Sequence, residues 1–234
     1  MKRTLTTLLP FGMAAAVLVT AIPNVAHAQF PLRATQVTFN TTQLQNYLNL
    51  YNPGPPAINV TTDQLDAQQW TSSVSGNADF TLMIELTGNA ASNSIGIYNV
   101  VGSGLFQVFP GAATSGWSAL AHFSGGNMVV TLFDNNSVLQ GQTFYPGVSQ
   151  SDFGFYLQGP GGLFFSEDSR NGNNPQVLTF AGSGNNFGDW WVCFADTHYS
   201  PSNTTFASAI LLCQSIVPTP TSNKSWGQVK SGYR

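Results

Sequence analysis

The segment from Trp190 to Ile216, WWVCFADTHYSPSNTTFASAILLCQSI, indicates the class of fold. It holds two short apolar runs, each with one cysteine, separated by residues rich in Ser, Thr, Asn and Pro. Apolar runs of this length, bounded by turn-forming residues, are typical of two β-strands joined as a hairpin. The intervening loop is then either a turn or a metal or catalytic site, and we favour the turn.

Strand-like patterns recur along the chain. Apolar residues at even positions from Phe80 to Leu86 alternate with polar or flexible ones, as expected of a half-buried strand. Further runs of this kind, separated by Gly, Asn, Asp and Pro, are SIGIYNV, LFQVF, MVVTLF, DFGFYLQ, LFFSE and QVLTFAG. The spacing predicts one all-β domain over residues 29–217, an antiparallel, jelly-roll-like β-sandwich.

One segment has helical periodicity instead. In TTQLQNYLNLY the apolar residues Leu44, Tyr47, Leu48 and Tyr51 recur every three or four positions. Asn40 or Thr41 is suited to cap its start, and prolines follow from position 53. We therefore predict one short N-terminal helix ahead of the sandwich.

The first 28 residues are typical of a signal peptide. Lys2 and Arg3 precede an apolar run, which ends at the small-residue motif Ala26-His27-Ala28. The competing interpretation is a membrane anchor, but the run is short and interrupted by Pro10 and Pro23. We expect cleavage before Gln29, export, and no integral membrane anchor.

Residues 218–234 differ from the body of the chain. A Pro/Thr linker leads into a basic end, which is typical of an extended, unpacked tail. Alternatively this end is a recognition or sorting tag that uses Trp226, Lys230, Tyr233 and Arg234.

Composition limits the class of partner. Only 7% of the residues are charged, whereas 42% are hydrophobic and 17 are Phe, so the chain is expected to fold. The stretch from Ala34 to Asn223 contains all ten acidic residues of the chain but only one basic residue, Arg170. Nucleic acid and anionic lipid both require basic patches and are therefore excluded as partners. A matrix component or surface polysaccharide is the expected partner; the oligomeric state is left open.

Three blocks of the sequence resemble a domain of unknown function that is common in PEP-CTERM-type exported bacterial surface proteins and adhesins. The blocks are GNAASNSIGIYNV, SDFGFYLQGPGGLFFSEDSRNGNNPQVLTFAG and WWVCFADTHYSPSNTTFASAILLCQSIVPTP. The resemblance covers most of Phe80 to Pro220. It implies a β-sandwich, a calcium-binding loop in many members and a surface location, and it implies no enzyme.

The chain departs from that family at the calcium loop. Phe194-Ala195-Asp196 stands where members have Phe-Glu-Asp, and the next acidic positions fall on Asn203 and Thr205. Because calcium affinity follows the number of charged oxygen ligands, we predict no metal site and at most weak calcium binding. The weak candidate ligands are Asp196, Asn203, Asp189 and Asp168, with Glu167 as a further possibility.

Cys193 and Cys213 are the only cysteines. A hairpin centred on Asn203 would place them opposite each other, and an exported chain meets an oxidising compartment. The hypothesis is a cross-strand disulfide that contributes about 3 kcal/mol and replaces the calcium ion of related domains. The competing interpretation is a pair of buried free thiols.

No sequence pattern indicates an enzyme. His122 and His198 have no metal-ligand spacing, and Asp196, His198 and Ser200 are neighbours on one loop, which disfavours a catalytic triad. Four carboxylates considered for glycoside hydrolysis show no distinctive spacing: Glu85, Glu167, Asp134 and Asp152.

The sequence therefore predicts a secreted or cell-surface, non-enzymatic protein with a structural, adhesion or matrix role. The alternative is an extracellular carbohydrate-binding module, for which Trp70, Trp117, Trp190 and Trp191 are the candidate sugar platforms. The competing interpretation for these tryptophans is burial in the core.

Overall fold

The computed structural model describes residues 30–73 and 75–220 and shows an all-β sandwich with one α-helix. Two antiparallel sheets, of six and seven strands, form the body, which confirms the predicted fold class. The predicted signal peptide 1–28 and the tail residues Trp226, Lys230, Tyr233 and Arg234 lie outside the described residues.

The six-stranded sheet has the order β13-β1-β8-β3-β4, and β9 pairs with β8. Its strands are β1 (Ala67–Ser72), β3 (Ser94–Asn99), β4 (Leu105–Phe109), β8 (Phe153–Gly159), β9 (Gly162–Phe165) and β13 (Ile216–Pro220). The seven-stranded sheet has the order β10-β11-β12-β2-β5-β6-β7. Its strands are β2 (Asn77–Glu85), β5 (Ser118–Ser124), β6 (Asn127–Phe133), β7 (Leu139–Pro146), β10 (Val177–Ala181), β11 (Trp190–Phe194) and β12 (Ala209–Gln214).

The main core lies between the two sheets and is rich in aromatic rings. Trp70, Phe80, Phe153 and Phe155 are almost fully buried there. Phe155 meets Trp70 and Phe80 edge to face, with ring centroids 5.5 and 5.6 Å apart. The many Phe residues of this charge-poor chain therefore fill the space between the sheets.

A second core makes the molecule three layers deep at one end. Helix α1 (Thr42–Tyr51) packs Leu44, Tyr47 and Leu48 against the outer face of β10, β11 and β12. The helix bounds match the predicted segment. Because these strands are buried on both faces, their sequences are continuous apolar runs rather than alternating ones.

A β-bulge in β2 changes which side chains face the main core. Leu82 pairs with Leu211 and Ile84 pairs with the adjacent Ile210, so Met83 is the additional residue. Leu82 belongs to the main core, whereas Ile84 packs against the second core. The prediction that all even positions from 80 to 86 share one face is therefore wrong from Ile84 onward.

Candidate functional site

An open groove of about 610 Å³ lies beside the turn between β10 and β11, and we call it the outer groove. Four segments that are distant in sequence line it. They are Phe30 and Leu32; Pro56, Ala57, Ile58, Asp63 and Leu65; Ala181, Gly182, Ser183, Phe187, Gly188, Asp189 and Trp190; and Ile216 and Val217.

Trp190 joins three of these segments. Its ring meets Phe30 edge to face, with centroids 5.9 Å apart. Its Nε1–H donates to the carbonyl of Ile216 at 2.9 Å. Leu32 forms an isolated antiparallel bridge with Leu65, which holds the N-terminal segment beside the second lining segment. The groove thus depends on the position of Trp190 at the start of β11.

The groove exposes apolar side chains that a folded chain ordinarily buries. Phe187 is 59% exposed, Val217 51% and Leu32 46%. Exposed apolar surface grouped in a concavity, rather than scattered singly, is typical of a binding site.

Two carboxylates add hydrogen-bond acceptors to this apolar surface. The Asp189 carboxylate accepts from Gln214 Nε2 at 2.9 Å. Burial raises the pKa of Asp189, and the Gln214 hydrogen bond partly opposes that rise. Asp63 accepts from the backbone N–H of Asn59 at 2.7 Å and from Thr62 Oγ1 at 2.8 Å. The groove can therefore pack against an apolar face of a ligand and accept hydrogen bonds from its hydroxyl or amide groups.

A second polar site surrounds Asp196, just after β11. Thr87 Oγ1 and Asn89 Nδ2 donate to Oδ2, and Ser208 Oγ donates to Oδ1 at 2.8 Å. Burial alone would raise the pKa of Asp196, but the hydrogen bonds from Thr87, Ser208 and Asn89 lower it below its ordinary value. The ionised carboxylate is thus stabilised by neutral donors.

Glu85 lies near Asp196 because the β2 bulge turns it toward the space between the sheets. Burial raises the pKa of Glu85 to about 7, and the negative charge of Asp196 adds to the rise. The Asn93 amide lowers the pKa of both carboxyl groups. The Asn93 amide does not form a hydrogen bond of normal geometry with either carboxyl group. Its Nδ2 and Oδ1 atoms, and Glu85 Oε1, are buried without a hydrogen-bond partner. Glu85 therefore titrates close to neutrality and is protonated below it, whereas Asp196 is ionised.

The predicted disulfide is wrong. Cys193 pairs with Ile210, and Cys213 pairs with Trp190. The observed register of the hairpin therefore differs by three residues from the one that would pair Cys193 with Cys213. An odd shift in register moves side chains to opposite faces of a sheet. Cys193 accordingly lies in the second core and Cys213 in the main core, both as free, fully buried thiols.

The structure does not gather the weak candidate metal ligands at one place. The Asp168 carboxylate accepts hydrogen bonds from the two terminal guanidinium nitrogens of Arg33, at 2.6 and 3.2 Å. Asp189 lies elsewhere, in the lining of the outer groove. Asn203 lies in the exposed turn from Ser200 to Thr204. Glu167 accepts from Tyr98, Gln69 and Arg170. Within residues 30–73 and 75–220, no three His, Cys, Asp or Glu side chains are grouped to hold a metal ion.

The residues considered for catalysis also have other partners. The ring of His198 packs edge-on against Phe164, with centroids 5.2 Å apart, while Asp196 is bonded to Thr87, Asn89 and Ser208. His122 is exposed and contacts the Asn77 amide oxygen. Asp134 accepts from the backbone of the turn before β7, and Asp152 lies on an exposed turn.

The four candidate tryptophans pack into the core to different degrees. Trp70 and Trp191 are fully buried, and Trp117 and Trp190 are partly buried against the main core. Only Trp190 contributes to the outer groove. Sequence reasoning missed Phe187, whose position in GSGNNFGD, an apolar residue inside a glycine-rich turn, was the available signal.

Comparisons with protein-family models, curated proteins and solved structures find no match for this chain. The resemblance to the calcium-loop domain of exported surface proteins therefore stays a prediction. Among the helices of the described residues, none has the length and apolar character needed to cross a membrane.

Proposed function

We propose that the chain is an exported, non-enzymatic β-sandwich protein with an adhesion or matrix role, and that the outer groove is its contact site. The observation that carries this proposal is the grouping of exposed Phe187, Val217 and Leu32 in one concavity. Its volume lies within the range of small-ligand or side-chain sites. The groove is formed largely of loops supported by two packed cores, an arrangement suited to recognition.

Export is supported by the N-terminal segment, and the state of the thiols is compatible with it. Residues 1–28 have the order of a secretory signal, with basic, apolar and small-residue regions. Cys193 and Cys213 are fully buried, and burial raises the pKa of both thiols. Such thiols are poorly reactive, so a chain with free cysteines can persist in an oxidising compartment.

The alternative function is carbohydrate binding, and one observation favours it. The exposed ring of Phe187 lies in the same groove as the carboxylates of Asp63 and Asp189. Sugars present an apolar face that packs on aromatic rings, and hydroxyl groups that donate to carboxylates. An acidic, aromatic groove is suited to a neutral polysaccharide more than to an anionic one.

A glycan array probed with the mature chain, with and without calcium, separates the two functions. Carbohydrate binding predicts a glycan signal that Phe187→Ala reduces at least about tenfold, since a buried aromatic contact contributes roughly 1–3 kcal/mol. The matched control is Val101→Ala, because Val101 is an apolar residue that is 83% exposed and does not line the groove.

The adhesion role is tested by retention on cells of the producing organism. We expect the mature chain to be retained and Phe187→Ala to be released into the medium, whatever the glycan result. Equal retention of both chains would contradict the assignment of the outer groove. Recovery of the full-length chain only from the cytoplasm would contradict export.

A further inference from the structure

Five strands of the two sheets pair on one side only, and the structure protects these edges unequally. They are β13, β4 and β9 in one sheet and β10 and β7 in the other. An unprotected edge presents unpaired N–H and C=O groups to any extended strand, so most proteins block such edges.

Four of the five edges are blocked or shortened. β9 has four residues, and the Asn171 amide bonds both the N–H and the carbonyl of Phe165, at 2.9 and 2.7 Å. β13 contains Pro218 and Pro220, which lack an N–H donor. β10 is covered by the chain before β1, since Leu65 N–H donates to the Thr179 carbonyl at 2.9 Å. β4 has five residues, and the Tyr145 hydroxyl donates to the Gln107 carbonyl at 2.9 Å.

β7 has none of these protections from Gly141 to Tyr145. Near its start the pairing with β6 shifts, so Gln140 is the additional residue of a β-bulge. The eight residues of β7, LQGQTFYP, carry no charge and contain no proline before Pro146. Leu139 and Phe144 are 59% and 60% exposed. Among the described residues, the hydrogen bonds to the backbone of β7 are those of its ladder with β6. In an antiparallel ladder every second residue directs its N–H and C=O away from the partner strand, so the outer edge of β7 is open.

We propose that β7 pairs antiparallel with β7 of a second copy of this chain, which joins two seven-stranded sheets across a two-fold axis. The second copy is the occupant because it presents an identical strand that is already extended, so pairing orders little additional chain. The regularly paired stretch that retains its N–H groups, Gly141 to Tyr145, is centred on Thr143. A two-fold axis there places Thr143 opposite its own equivalent, Gln142 opposite Phe144, and Gly141 opposite Tyr145, with no like charges facing each other.

This pairing uses the open edge completely and therefore stops at a dimer. It does not depend on the function of the outer groove, because β7 and β10 are at opposite ends of the seven-stranded sheet. The two grooves of the dimer lie at its far ends. Such a dimer can bridge two contact points on a surface or in a matrix.

Sedimentation velocity of the mature chain over a range of concentrations tests the proposal. We expect a monomer–dimer equilibrium for the unaltered chain, and a dissociation constant at least about tenfold higher for Thr143→Lys and for Thr143→Glu, because like charges would then face each other. An equimolar mixture of the two variants should restore the dimer. The matched control Gln107→Lys adds the same charge to the exposed side of β4 and should leave the dimer unchanged.

Thermal unfolding of each variant shows whether the exposed substitutions preserve the fold. A mature chain that stays monomeric throughout, or a dimer that Thr143→Lys and Thr143→Glu do not weaken, would overturn the proposal. Sedimentation velocity of a truncated chain that ends at Pro220 is a further comparison. If the truncated chain dimerises through β7 while the mature chain does not, residues 221–234 occupy the edge and the second copy is not its partner.

Discussion

Asp196 is held from both sides by hydroxyl and amide donors. Thr87 and Asn89 approach from the segment after β2, and Ser208 approaches from the end of the β11–β12 loop. Hydrogen bonds to a charged group are stronger than those between neutral groups. The Ser208 hydrogen bond closes the β11–β12 loop, as the predicted disulfide would have done. The Thr87 and Asn89 hydrogen bonds connect this loop to the segment after β2.

Replacing Asp196 with Asn should destabilise the fold by about 2–3 kcal/mol, because the charged acceptor is lost and an amide N–H₂ faces other donors. Urea unfolding at neutral pH measures the difference. The control is Asp152→Asn on an exposed turn, which should change the free energy of unfolding by less than about 0.5 kcal/mol. Similar effects of the two substitutions would contradict the role given to Asp196.

Glu85 predicts a distinct pH dependence of stability. Its pKa is raised from 4.5 to about 7 in the folded chain. Between these values the folded state binds a proton that the unfolded state releases, so stability falls as the pH rises through this window. The Asp196 contribution has the opposite sign and is lost only below its ordinary pKa, at a more acidic pH.

Glu85→Gln mimics the protonated form and should remove this dependence. We expect little change at pH 5 and a gain on the order of 1 kcal/mol at pH 8, after allowing for the solvent that reaches this side chain. Thermal unfolding at the two pH values makes the comparison. An equal shift at both values would show that Glu85 does not titrate in this window.

At the scale of elements, the periodicity of the sequence predicted helix α1 and most of the strands, because each follows from local residue order. The face that each strand presents was less predictable. The bulge at Met83 inverts the pattern beyond Leu82, and it follows from pairing with β12, which is distant in sequence. The register of the β11–β12 hairpin likewise depends on how Phe206 and the rest of the loop pack into the second core.

The docking of helix α1 can be tested with two leucines of the same helix. Leu44 is fully buried against the seven-stranded sheet, whereas Leu50 is 67% exposed. Leu44→Ala should therefore cost about 2–5 kcal/mol in the free energy of unfolding, and Leu50→Ala less than about 0.5 kcal/mol. Chemical denaturation measures both. Equal costs would show that the helix does not pack as a third layer.

At the scale of the whole molecule, the outer groove could not have been predicted from sequence. Phe30, Asp63, Phe187 and Val217 come from four segments that only the folded chain brings together. Their individual patterns are those of an ordinary core or turn. Composition did predict the general character of the site, because a chain with few charges must expose apolar and amide groups wherever it leaves a concavity.

The groove and the two-core architecture depend on the same hairpin register. Trp190 pairs with Cys213, and this places the indole beside Phe30 and Ile216. A register that joined Cys193 to Cys213 would turn over either β11 or β12, and turning over β11 would remove Trp190 from the groove. The state of the two cysteines therefore reports on both the fold and the candidate site.

The most direct measurement is a thiol titration of the exported chain, unfolded in denaturant without reducing agent. Our account predicts two reactive thiols per chain, and none in the folded protein, because both cysteines are fully buried. A chain that shows no reactive thiol until it is reduced would contain the Cys193–Cys213 disulfide. That result would contradict the hairpin register and the separation of the two cysteines between the two cores, on which the position of Trp190 and the outer groove rest.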